Sequence, residues 1–148
     1  MKKIGFYITF SIMFLLLLAG CTPLTTINNK AVKDLRKDLM GITSSIETVK
    51  VTAWGPWAKI EIFFSDEPPQ DTIDAVFERV KAFPIEGNLK SFNCELPDVH
   101  LYIYINGDKE NPSVIYSTSY LNSNDYTDES PSNVNGYKTW TTWTSPPD

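Results

Sequence analysis

Histidine and cysteine are nearly absent from this sequence, with one of the former and two of the latter in 148 residues. Zinc is held mostly by those residue types, so neither a structural nor a catalytic zinc site can be assembled here without several carboxylates. No glycine-rich phosphate cradle occurs, and the acidic loop holding Asp125, Asp128 and Glu129 lacks the alternating oxygen ligands and mid-loop glycine of an EF-hand. No metal and no cofactor is expected. Positive charge is short as well: 13 Lys and Arg stand against 18 Asp and Glu, which argues against nucleic acid as a partner.

What the chain does have is a marked beginning. Lys2 and Lys3 precede an uncharged apolar stretch over residues 4–18, and the small residues Ala19 and Gly20 precede Cys21. That is the order of an export signal. The quartet Leu18-Ala19-Gly20-Cys21 resembles the lipobox of bacterial lipoproteins, in which an aliphatic residue, a small residue and Gly or Ala lead to an obligatory Cys. The resemblance implies cleavage between Gly20 and Cys21, with a diacylglyceryl group on the Cys21 sulfur. It places the mature chain on the extracytoplasmic face of a bacterial cell membrane.

Two acyl chains, at about 0.8 kcal/mol per buried methylene, suffice for stable anchoring where one does not. The alternatives are an ordinary secretory signal with an incidental Cys, and an uncleaved membrane helix, for which the apolar run is slightly short. Loss of residues 1–20 removes two lysines and no acids, leaving 11 basic against 18 acidic residues and a formal charge of −7. Cys94 is then the remaining thiol. It has no intramolecular disulfide partner and reads as buried and inert.

Residues 21–28 read as the lipidated Cys and a short tether, 29–144 as one domain, and 145–148 as a tail. Within the domain, Asn29 can cap a helix whose Val32, Leu35, Leu39 and Met40 form an apolar stripe, with Gly41 as its stop. That helix either packs on a sheet or lies on the lipid surface, its lysines toward anionic headgroups; the narrow stripe and the diluting Asp34 and Asp38 favour packing. Val49, Val51 and Ala53 alternate, then Ile60, Ile62 and Phe64, around the breaker Trp54-Gly55-Pro56-Trp57, which predicts a hairpin. Asp71 is expected to cap a second helix with Ile73, Val76, Phe77, Val80 and Phe83 on one face.

Val99, Leu101, Ile103 and Ile105 then alternate with His100, Tyr102 and Tyr104, a turn follows at 106–108, and strands are expected over 114–120 and 137–144. The expected fold is α+β in the order α-β-β-α-β-β-β: one mainly antiparallel sheet of about five strands, with two helices packed on one face.

Two constellations invite chemistry. Asp98 and His100 share a strand face, and Cys94 completes a nucleophile-base-orienter set on paper, although nothing in the sequence activates it. The stronger feature is aromatic. Trp54 and Trp57 flank a turn, Tyr102 and Tyr104 face away from the inferred core, and Trp140 and Trp143 sit in a Thr-rich strand, where a spacing of three sends them to opposite sides. Flat rings with polar edges suit sugars or extended peptides. The competing account is that such residues only build the sheet. The sequence therefore predicts a non-catalytic lipoprotein that binds an envelope protein, peptide or glycan, with Trp54, Trp57, Tyr102, Tyr104 and Trp140 as candidate contacts. Its alternatives are a small envelope hydrolase using Asp98 and His100, and an inhibitory or structural partner of a membrane complex.

Overall fold

A computed structural model of the chain describes residues 24–83, 85–89, 98–123, 127–128 and 130–144. Its elements are β1 (Thr25–Thr26), α1 (Lys30–Met40), β2 (Ile46–Trp54), β3 (Trp57–Phe64), α2 (Gln70–Lys81), α3 (Ile85–Leu89), β4 (Asp98–Tyr104), β5 (Val114–Thr118) and β6 (Thr141–Thr144). The strands form one six-stranded sheet in sequential order. Every pairing is antiparallel except β3 with β4. That exception follows from connectivity: α2 and α3 intervene between those strands, and a helical crossover returns the chain in the same direction. The α+β class, the single mainly antiparallel sheet and the helices on one face stand as expected.

Alternation decides which face carries the helices. Val49, Val51, Ala53, Ala58, Ile60, Ile62, Phe64, Val99, Leu101 and Ile103 are buried together with Val32, Leu35, Leu39, Val76, Val80 and Phe83. Helix α1 packs its stripe on β2, and α2 lies beside it. Asn29 caps α1 as expected, its Oδ1 accepting from the Val32 N–H at 2.9 Å. Gly41 closes the helix through its N–H to Lys37 and Asp38 carbonyls. Met40 departs from the expected stripe and is 49% exposed, because it extends an already narrow apolar arc beyond the sheet. Asp71 is not the cap of α2: Pro69 holds that position without a side-chain bond, and Asp71 lies inside the first turn. Its charge there still complements the helix N-terminus.

The larger departure concerns residues 24–28, the described part of the expected tether. Thr25 and Thr26 pair with Ala53 and Thr52, and the Ile27 N–H donates to the Val51 carbonyl at 2.8 Å. Ile27 is fully buried. Thr25 and Thr26 are therefore an edge strand held on β2, and the sheet has six strands instead of about five. Arg36 extends the ladder where β1 ends: its Nε donates to the Val49 carbonyl at 3.0 Å, Nη2 to the Ile27 carbonyl at 3.2 Å and Nη1 to Asn28 Oδ1 at 2.7 Å. No helix among the described residues is long and apolar enough to cross a membrane.

Candidate functional site

The second face of the sheet follows from the same parity. Residues 50, 52 and 54 of β2, 57 to 63 at odd positions of β3, 98 to 104 at even positions of β4, and 115 and 117 of β5 point away from α1 and α2. Register aligns them in rows: Trp54 opposite Trp57, Thr52 opposite Lys59 and then His100, Lys50 opposite Glu61 and then Tyr102. Aromatic and cationic groups stack along these rows. Phe63 and Tyr104 are nearly parallel with centroids 4.5 Å apart, and Lys59 Nζ lies 4.3 Å above the Tyr102 ring.

The hairpin tip brings the tryptophans together. Gly55 adopts a φ of 53° ahead of Pro56, fitting a tight two-residue loop with glycine at its first central position. Trp54 and Trp57 meet at 5.1 Å with a 55° tilt, and both stay substantially exposed. The Pro56 carbonyl accepts the Asp98 N–H at 2.9 Å, fixing the tip against the start of β4.

Between this tip and β4 lies a cleft of about 370 Å³ lined by Leu24, Thr52, Trp54, Trp57, Lys59, His100 and Tyr102. Most of its wall is apolar. Its polar groups differ in how well they are satisfied. Lys59 is held by Glu61 at 2.8 Å, and the Tyr104 hydroxyl joins that pair. Burial lowers the Lys59 pKa, but the hydrogen bond and charge of Glu61, with Tyr104, outweigh it and hold the ammonium above its usual range. His100 goes the other way: burial depresses its pKa, only partly countered by the Asp98 charge, so the imidazole is neutral at pH 7. The Thr52 hydroxyl, in a residue only 6% exposed, has no hydrogen-bond partner. A buried unpaired hydroxyl costs roughly 1 to 3 kcal/mol.

Of the sequence candidates, Trp54, Trp57 and Tyr102 line this cleft. Tyr104 lies on the same face but is buried beneath Lys59 and against Phe63, so it supports the floor. Trp140 is not with them: it packs edge-on against Phe77 of α2, on the helix side, with centroids 5.5 Å apart. Trp143 is on the open face, paired with Ile115, and its indole N–H donates to Ser117 Oγ, so the two tryptophans do take opposite sides. Thr52, Lys59 and Leu24 were missed. The first two lie at alternate positions beside the Trp-flanked turn, a signal present in the strand pattern.

Cys21, Gly20 and Cys94 lie outside the described residues. Among the described residues no hydrogen bond or ion pair joins His100 to Asp98, and no cluster of three or more His, Cys, Asp or Glu forms a metal site. The fold and this face define the chain as an α+β protein with one helix-covered and one open, aromatic sheet surface. No family model, curated protein or solved structure matches it.

Proposed function

We propose that this chain is a lipid-anchored, non-catalytic binding module of a bacterial envelope, attached through Cys21 on the extracytoplasmic face, and that its open sheet face receives an envelope glycan. The observation that carries this reading is the cleft: an aromatic wall of Trp54, Trp57 and Tyr102 beside the polar edges of Lys59 and His100. Sugar rings present apolar faces to aromatics and hydroxyls at their edges, and each part finds its counterpart here. The hydrolase alternative has Asp98 orient His100 as a base, and a conversion assay separates it from binding.

The test is titration of the full chain with soluble peptidoglycan fragments, followed by Trp fluorescence. Saturable change is expected, weakened about two- to tenfold by Tyr102→Ala, since one aromatic contact is worth roughly 0.5 to 1.5 kcal/mol. Unchanged emission throughout overturns the glycan reading and leaves a protein or peptide partner. Fragment conversion that is lost in His100→Ala overturns the non-catalytic one.

A further inference from the structure

We infer that the rim formed by Leu24, Trp54 and Trp57 seats in the headgroup layer of the bilayer, so that the cleft opens onto the membrane surface. The inference rests on the proposed lipidation of Cys21 and adds an orientation to it.

Three observations carry it. First, the large apolar side chains left exposed include Leu24 at 68%, Trp54 at 49% and Trp57 at 42%, and all three line one cleft. Exposed apolar residues are ordinary when scattered, but a contiguous cluster marks an interaction surface. Second, the chain leaves the described residues at Leu24 itself, three positions after Cys21. At roughly 3.5 Å per residue those positions span at most about 11 Å, close to the depth of the interfacial layer. Pairing of β1 with β2 removes the slack that a free tether would have given. Third, tryptophan is the residue that concentrates at membrane interfaces, where its ring meets lipid and its N–H meets water.

Charge identifies the attraction. The mature chain carries 11 basic against 18 acidic residues, so an anionic surface repels it overall, and the one lysine in the cleft is already paired with Glu61. Of the basic residues of α1, Lys30 is held by Asp34 and Arg36 by the β1–β2 edge, and none of the four lines the cleft. Docking is therefore apolar, stronger on zwitterionic than on anionic lipid, and not weakened by salt. A ligand in the cleft is met at the membrane surface, with Tyr102 and His100 lining it and the Trp rim turned to lipid.

The experiment reconstitutes the full chain, isolated from membranes, into phosphatidylcholine vesicles whose acyl chains carry bromine near the headgroup, and reads quenching of Trp emission. Two of the four tryptophans lie on the rim, so up to about half of the emission is expected to be quenched, unchanged in high salt and rising to about two thirds of the remaining emission in Trp143→Phe. Trp54→Ser with Trp57→Ser should abolish it, and Leu24→Gln should reduce it while leaving both tryptophans in place. Absent quenching, or equal quenching in the double variant, overturns the inference. The mass of the N-terminal peptide from the same sample reports separately on Cys21: a lipidated chain without quenching overturns the rim alone, whereas quenching with unmodified Cys21 supports the rim and overturns the anchor.

Discussion

Arg36→Met should detach the edge strand without emptying the core. The methionine keeps the apolar stem of the arginine but removes the donors that reach the Val49 carbonyl, the Ile27 carbonyl and Asn28 Oδ1. Hydrogen bonds to a charged group contribute about 1.5 to 3 kcal/mol each when buried. Arg36 is only half-buried, which discounts each of them, and water can reach part of what is vacated. The summed loss is therefore about 2 to 3 kcal/mol. For a domain of this size that lowers the thermal midpoint by roughly 8 to 12 °C.

The assay pairs thermal unfolding by circular dichroism with amide exchange. The Ile27 N–H, bonded to Val51, should lose protection more than the central β3 and β4 amides, because local opening of an edge segment costs less than global unfolding. Leu24 would lose its place in the cleft wall with it, so glycan affinity should fall although Arg36 touches no part of the cleft. A midpoint shifted by less than about 2 °C, together with unaltered protection at Ile27, would refute the argument that the guanidinium continues the ladder.

Thr52→Val replaces an unpartnered buried hydroxyl with a methyl of the same shape. Stability should hold or rise by up to about 1 kcal/mol in urea unfolding, and a loss of stability would show that the hydroxyl is partnered in the folded chain. For His100, burial depresses the folded-state pKa below that of the unfolded chain, so the unfolded state binds more protons between the two values. The stabilisation is complete above the unfolded pKa and is lost as pH falls through the folded one. Chemical denaturation should thus show a drop below about pH 6.5 that His100→Gln flattens, and Asp98→Asn should lower the imidazole pKa further by NMR. Trp140→Ala removes an edge-on contact with Phe77, which also stacks on Tyr116. It should cost about 2 kcal/mol and leave fragment binding unaltered, which separates the helix-side tryptophan from the cleft.

The parts of this fold that were legible in the sequence are those with period and length. Residues 99, 101 and 103 alternate strictly with 100, 102 and 104, and the buried and open faces divide accordingly. The stripe of Val76, Val80 and Phe83, with Ile73 and Phe77 beside it, repeats at helical spacing over three turns and is buried or packed on the core. Strand β1 was not legible because two residues carry no period. What makes Thr25 and Thr26 a strand is a tertiary contact, the free edge of β2, together with a guanidinium supplied from α1. Alternation says nothing of strand direction, so the parallel pairing of β3 and β4 is read only from the helix that intervenes between them.

The candidate site divides along the same line. Aromatic content was visible residue by residue, but which rings share a surface depends on parity across separate strands and on where a strand starts. Trp140 lies just before β6 and turns under α2, whereas Trp54 and Trp57 are forced together by a two-residue loop whose glycine accepts a φ of 53°. The orphan hydroxyl of Thr52 is harder still to foresee. Threonine in a strand normally faces solvent or a neighbour, and here burial comes from what surrounds it in space: Lys59 beside it in register, Thr26 on the edge strand, Trp54 and Leu24 above. The same short strand that sequence periodicity could not reveal thus closes the cleft on one side. Stability of the edge and affinity of the face are for that reason coupled, and a variant that loosens residues 24–27 without touching the aromatics should lose both in proportion.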